Sequence, residues 1–155
     1  MKILISACLL GEKVRYDGKD NFLSHPVLKN LYDKGHFVVI CPEVAGGLPI
    51  PRPPAERQHT GQVLTRMQED VTEAFTVGAR RALALAKENN CKLAILKARS
   101  PSCGNKEIYD GTFSKTLVPG MGVTAELLTQ NGVTVFNEEE IDQAIAFYET
   151  LTKEV

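Results

Sequence analysis

Four short apolar runs recur along the chain, and a predicted helix follows each of them. The runs are typical of buried strands and cover residues 2–7, 36–41, 92–98 and 132–136. The helices are predicted over residues 25–34, with Ser24 as the cap, and over residues 68–89, 123–130 and 138–152. Alternating strands and helices favour a parallel sheet with right-handed crossovers. The sequence therefore predicts an α/β fold of three layers, in which helices cover both faces of a mostly parallel sheet of about four strands.

Length and charge limit the organisation and the partners. We expect one domain over residues 1–155, because there is no linker, repeat or low-complexity segment. A net charge of -1 gives no basic surface for nonspecific nucleic-acid binding. Since no apolar run has membrane-spanning length, we expect a cytoplasmic protein, with the oligomeric state open and a homodimer possible.

Two long polar segments are predicted to lack regular structure. Residues 42–63 contain four prolines between positions 49 and 54 and three glycines, which disfavour helices and strands. Residues 99–120 form the second segment. Loops of this length in a compact domain are usually functional.

Three of the four cysteines come at or after the end of a predicted strand. Cys8, Cys41 and Cys103 follow the first three strands, whereas Cys91 precedes the third and is expected to pack in the core. The carboxyl ends of parallel strands share one edge of the sheet, where ligands bind in open α/β folds. We therefore expect the three cysteines to meet there; the alternative is three unrelated buried cysteines.

Three thiolates at one place indicate a metal or an iron–sulfur cluster. Three protein ligands leave one coordination position open, as in catalytic metal sites. Zinc and iron–sulfur clusters both suit thiolates, and the residues alone do not choose between them.

Other polar side chains are predicted near the same edge. Glu43, two residues after Cys41, suits general acid–base catalysis or an ion pair with Arg52. Ser100 and Ser102 flank a proline, where hydroxyls either stabilise a turn or bind substrate.

Candidate anion-binding residues lie in the loops and at one helix start. Arg15 and Arg52 suit an anionic group of a substrate or structural ion pairs. With Asp17, which is close to Arg15 in the chain, they are the candidate substrate-binding residues of the loops. Residues 120–125 have the outline of a dinucleotide fingerprint, but a proline directly precedes it. A smaller anion site is predicted instead of a dinucleotide site: the helix N-terminus at Gly122 and Val123 binds a phosphate.

Several motifs together resemble the bacterial thiouracil desulfidase family, formerly a family of unknown function. The matching segments lie in order over nearly the whole chain and read ISACLLG, VRYDG, CPEVAGGLPIPRPPAE, ILKARSPSCG, YDGTFS and GMGVTAELL. One departure is Lys115, where the family pattern leads us to expect glycine.

The resemblance implies an activity, a cofactor and residue roles. It implies a [4Fe–4S] cluster held by Cys8, Cys41 and Cys103, with one iron not bound by protein. It implies non-redox desulfuration of a thiolated uracil, as free base or nucleotide, to uracil and hydrogen sulfide. Glu43 and a serine, Ser100 or else Ser102, match the catalytic positions. The alternatives are a zinc-dependent hydrolase or deaminase of a nucleobase-like substrate and a non-enzymatic metal-binding module.

Overall fold

The central element is a four-stranded parallel sheet. A computed structural model describes residues 1–153. The strands of the sheet are β1 (Ile3–Ser6), β2 (Phe37–Ile40), β5 (Leu93–Leu96) and β8 (Thr134–Asn137), in the order β2-β1-β5-β8. Every neighbouring pair is parallel. The predicted sheet is therefore confirmed in strand number and direction.

Helices cover both faces of this sheet. They are α1 (Pro26–Asp33), α2 (Pro42–Ala45), α3 (Thr72–Glu88), α4 (Val123–Gln130) and α5 (Ile141–Lys153). Leu4, Ala94 and Leu96 pack with residues of α3 and α4 in one core. Ile3, Ile5 and the alternate residues of β5 pack with residues of α1 and α5 in the other. Because successive side chains of a strand point to opposite faces, these fully buried strands have a packed layer of helices on each face.

Two helix starts differ from the sequence prediction. We expected α1 to be capped by Ser24, but His25 occupies the cap and its Nδ1 accepts the amide hydrogen of Val27 at 3.2 Å. We expected α3 to begin near Gln68, but this residue has a positive φ of 65°. A left-handed residue cannot start a right-handed helix, so α3 begins at Thr72.

Both long segments contain regular structure, contrary to prediction. The first holds α2 and the antiparallel hairpin of β3 (Ala55–Arg57) and β4 (Val63–Thr65). The second holds the hairpin of β6 (Glu107–Tyr109) and β7 (Leu117–Pro119). These strands have three residues each, too few to show a period of two against neighbouring prolines and glycines.

A carboxylate joins the two hairpins. Glu56 Oε1 accepts the amide hydrogens of Gly111 at 3.0 Å and Phe113 at 3.1 Å. The loop between β6 and β7 is thereby attached to β3, and both hairpins contribute to the cavity described below.

Two glycines allow α2 to cross α3 at very short range. A Cβ on Gly46 would lie 2.0 Å from the carbonyl oxygen of Ala74, and a Cβ on Gly78 would lie 1.9 Å from that of Pro42. No side chain fits at either position. The crossing places the start of α2 against α3, and with it Cys41 and Glu43.

Among residues 1–153, no helix has both the length and the apolar character needed to cross a membrane.

Candidate active site

Three cysteines line one cavity of about 660 Å³ at the carboxyl ends of the parallel strands. Cys8 lies in a 3-10 turn, Ala7–Leu10, directly after β1. Cys41 follows β2 and precedes the first residue of α2. Cys103 lies in the turn after β5. The structure thus brings together the three thiols that the strand-end argument selected.

The fourth cysteine lies elsewhere. Cys91 immediately precedes β5, is only 5% exposed and packs in the apolar core beside α3. Burial raises the pKa of its thiol. The structure therefore places Cys91 in the packing position expected for it.

The turn that carries Cys103 is built on Ser100. Its Oγ accepts the amide hydrogens of Ser102 at 3.1 Å and Cys103 at 3.0 Å, and its carbonyl accepts from Gly104 at 2.9 Å. A serine that bonds amides two and three residues ahead stabilises a tight turn. This turn moves the chain from the buried end of β5 to the cavity.

The start of α4 supports the same turn, which corrects the phosphate prediction. Gly122 and Val123 donate their amide hydrogens to the carbonyls of Gly104 at 2.8 Å and Pro101 at 2.9 Å. A Cβ on Gly122 would lie 2.4 Å from the backbone of Ser102. Neither residue lines the cavity. The glycines of residues 120–125 thus serve close backbone packing, and the amides expected to receive an anion are already used.

The two serines differ in their surroundings. Ser102 is fully buried, and its hydroxyl shares a 2.7 Å hydrogen bond with the Thr124 hydroxyl. Ser100 lines the cavity, and its hydroxyl hydrogen has no acceptor among the described residues. Of the two serines, only Ser100 is therefore placed to donate a hydrogen bond to a molecule in the cavity. The Ser102 hydroxyl is used in its buried contact with Thr124.

Polar groups lie close to the three thiols. The Ser6 hydroxyl donates to Cys103 Sγ at 3.6 Å, and Cys41 Sγ donates to the Val14 carbonyl at 3.9 Å. Burial raises the pKa of Cys8, and the Asn21 side chain opposes this shift. Donors such as the Ser6 hydroxyl stabilise thiolates and iron-bound sulfur.

Burial keeps these thiols protonated while no cation is bound. It raises the pKa of Cys8 and Cys41, and it raises the pKa of the deeply buried Cys103 well above its usual range. Charge on the neighbouring thiolates raises the pKa of Cys103 further, whereas the Ser6 hydroxyl lowers it. Three thiolates at this site therefore need positive charge between them, which bound metal would supply.

The donor set, three thiols on one cavity, fits an iron–sulfur cluster. Within residues 1–153, no three histidine, cysteine or carboxylate side chains are close enough to share one metal ion. The three thiols nevertheless line one cavity. A polynuclear cluster binds each thiolate through a different iron and so accepts ligands that do not converge on one point.

Glu43 lies beside the thiols, in an ion pair with Arg52. Arg52 Nε donates to Glu43 Oε1 at 3.3 Å, and the two side chains are 5% and 20% exposed, arginine first. Burial raises the pKa of Glu43 above its usual value, although the arginine opposes this shift. Both residues line the cavity. The structure therefore shows the ion pair with Arg52 and places Glu43 at the cavity, and general acid–base catalysis by Glu43 stays a prediction.

The other predicted anion-binding residues are less free than expected. Arg15 lines the cavity, but its guanidinium binds Asp17 at 3.0 Å and Asn21 Oδ1 at 2.9 Å. Asp17 does not line the cavity, and its carboxylate also accepts the Lys19 amide hydrogen at 3.0 Å. The pair stabilises the loop that carries Asn21, and the Asp17 carboxylate lies outside the cavity.

Sequence reasoning missed several polar cavity residues, among them Asn21 and Lys97. Asn21 lies in a polar loop without any motif, and nothing in the sequence marks it. Lys97 directly follows β5 and forms a 2.7 Å ion pair with Glu138, which follows β8. The strand-end rule that selected the cysteines also applies to Lys97 and would have found it.

These features define a class of protein before any comparison is made. It is an α/β protein in which loops after three parallel strands bring three thiols, a carboxylate and a serine to one cavity. The family described as 2-thiouracil desulfurase matches residues 3–140, and the chain belongs to that family. The resemblance found in the sequence, and with it the assignment to an enzyme family, is confirmed.

Two relatives extend this result. The uncharacterized protein YbbK of Bacillus subtilis (strain 168) is 41% identical over 152 residues, covering 92% of this chain and 99% of the relative. A solved structure of the [4Fe-4S]-dependent thiouracil desulfidase TudS superposes with a TM-score of 0.92 at 45% identity, covering 95% of this chain and 97% of the other. The α/β fold is therefore shared with an iron–sulfur enzyme.

Proposed function

We propose that this protein is a thiouracil desulfidase that replaces the sulfur of a thiolated uracil, as base or nucleotide, with oxygen from water. The proposal rests on one observation: a shared cavity is lined by Cys8, Cys41, Cys103, Glu43 and Ser100. Family membership and the likeness to TudS support the substrate class.

We assign the three cysteines as the ligands of a [4Fe–4S] cluster with one iron left free of protein. When bound, the cluster supplies a Lewis-acidic iron that accepts a soft sulfur ligand. The protein supplies the Ser6 hydroxyl, which donates to Cys103 Sγ, and the Asn21 side chain, which lowers the pKa of Cys8 against the effect of burial.

Glu43 and Ser100 supply the proton chemistry. Glu43 takes a proton from water, whose oxygen attacks the ring carbon that carries sulfur. The Ser100 hydroxyl donates to the substrate and orients the ring, since its hydrogen is free and its oxygen is held by two amides. The carbon–sulfur bond then breaks, and the proton held by Glu43 and the remaining hydroxyl proton pass to the departing sulfur, which returns Glu43 to its carboxylate form. One water and one thiocarbonyl become one carbonyl and one hydrogen sulfide, and no electrons are transferred.

The experiment is sulfide release from 4-thiouracil by protein reconstituted without oxygen, with iron and acid-labile sulfide counted on the same sample. We expect a loaded wild type that releases one sulfide for each thiouracil lost. Glu43→Gln should keep the cluster and lose about 10²–10⁴-fold in turnover.

Glu88→Gln is the matched control, because Glu88 is exposed at the end of α3, away from the cavity. It should turn over like wild type. Wild-type protein that loads a cluster and releases no sulfide would refute the proposal, and a fully active Glu43→Gln variant would remove Glu43 from the mechanism.

A further inference from the structure

Arg52 is a cavity residue whose hydrogen bonds connect segments that are distant in the chain. It is buried, and its guanidinium donates to three acceptors on three segments: Glu43 Oε1 at 3.3 Å, the Pro49 carbonyl at 3.2 Å and the Val14 carbonyl at 2.8 Å. Its own amide donates to Tyr16 at 2.8 Å. These bonds connect α2, the first loop and the proline-rich segment.

The bonds of Arg52 leave the two oxygens of Glu43 unequal. Oε1 accepts from Arg52, whereas Oε2 accepts from no described residue. Among residues 1–153, every buried side-chain nitrogen or oxygen has a hydrogen-bond partner. Oε2 is therefore not completely buried, and the residue that carries it lines the cavity.

The local sequence explains how Arg52 keeps this position. It stands between Pro51 and Pro53, whose rings restrict the backbone on both sides. A planar guanidinium reaches several acceptors in fixed directions, whereas an ammonium offers one point of charge. The Val14 carbonyl that Arg52 binds also accepts from the Cys41 thiol at 3.9 Å.

We propose that Arg52 is a positioning residue for Glu43, which holds Oε1 so that Oε2 alone receives the proton of the attacking water. Its role is thus distinct from the substrate contact expected from sequence. The inference rests on the proposed function, in which Glu43 is the base. A misplacement of about 1 Å in such a group costs about 100-fold in rate.

The test is a double-mutant cycle of Arg52→Lys and Glu43→Gln, with kcat, KM for 4-thiouracil and iron content measured for each variant. We expect Arg52→Lys to lower kcat about 100-fold with KM nearly unchanged. In the Glu43→Gln background the same change should cause no further loss. A raised KM with unchanged kcat, or equal losses in both backgrounds, would show that Arg52 acts on the substrate and overturn the inference.

Arg57→Lys is the matched control. Arg57 likewise links two segments, through Met121 and Glu126 at 2.7 and 2.9 Å, but it does not line the cavity. It should lower the unfolding temperature and leave kcat unchanged. An equal fall in kcat for Arg57→Lys would mean that any lost bridge between segments has this effect, which would also overturn the inference.

A second measurement does not need the cluster. Thermal unfolding of the four metal-free proteins of the cycle should show smaller losses in the double mutant than the sum of the single losses, because each change breaks the same contact. Additive losses would contradict the inference even if Arg52→Lys fails to load iron. Wild-type protein without desulfidase activity would refute the proposed function, and the unfolding cycle would then decide the Arg52–Glu43 contact alone.

Discussion

Replacing Gly78 with alanine tests whether the crossing of α2 and α3 sets the geometry of the site. The added Cβ would lie 1.9 Å from the Pro42 carbonyl oxygen, whereas real Cβ atoms essentially never come within 3.0 Å of such an atom. The helices must therefore separate by about 1.1 Å. Alanine improves helix propensity by about 1 kcal/mol, and overpacking costs about 1–3 kcal/mol. The net loss in the free energy of unfolding is at most about 2 kcal/mol.

The effect on activity should be much larger than the effect on stability. Cys41 and Glu43 lie at the start of α2, so they move with it. A shift of this size corresponds to about a 100-fold loss of kcat/KM. The assays are metal-free thermal unfolding, iron content and sulfide release. Gly78→Ser adds a larger side chain than Gly78→Ala and should lower the unfolding temperature, the iron content and the rate of sulfide release further.

Ala84→Gly is the control for stability, because Ala84 is exposed on the same helix. It should destabilise by about 1 kcal/mol through helix propensity alone and keep full activity. Gly78→Ala protein that is as stable and as active as wild type would refute the reasoning that the close crossing positions the site.

Two further pairs of substitutions separate site residues from packing residues. Cys103→Ser should abolish iron binding, whereas Cys91→Ser, outside the cavity, should keep the iron content; iron loss in Cys91→Ser alone would reverse this assignment. Ser102→Ala leaves the buried Thr124 hydroxyl without its partner, so it should cost about 1–3 kcal/mol in metal-free unfolding and keep turnover per bound cluster. Ser100→Ala should instead lose turnover per bound cluster, and sulfide release with equal rates for both serine variants would contradict the distinction.

The sequence was sufficient to place the cysteines because their positions depend on a general rule. Parallel strands end at one edge, so Cys8, Cys41 and Cys103 could be assigned to one place from strand positions alone, and the structure puts them in one cavity. Glu43 followed from its nearness to Cys41 in the chain. Both arguments use only local sequence and sheet direction.

The errors arose where a residue's partner is distant in the chain. The local pattern around Gly122 predicts an anion site, since nothing nearby in the sequence shows that its amide donates to the Gly104 carbonyl. The local sequence likewise does not show that the Arg52 guanidinium donates to the Val14 carbonyl, which lies in a different loop. Likewise, Ser100 and Ser102 are equivalent in sequence, and only the direction of the turn distinguishes the one that reaches the cavity.

The support of the Cys103 turn by α4 also limits when the enzyme can mature. Cys8 leaves the ribosome first, but the loop bearing Cys103 is held by the amides of Gly122, Val123 and Thr124. In a nascent chain the proposed ligand set is therefore incomplete until the segment through α4 has been synthesised and has folded onto the sheet. Proteins with closely spaced ligand motifs can capture metal on a short peptide, whereas insertion of the proposed cluster would follow folding of the domain.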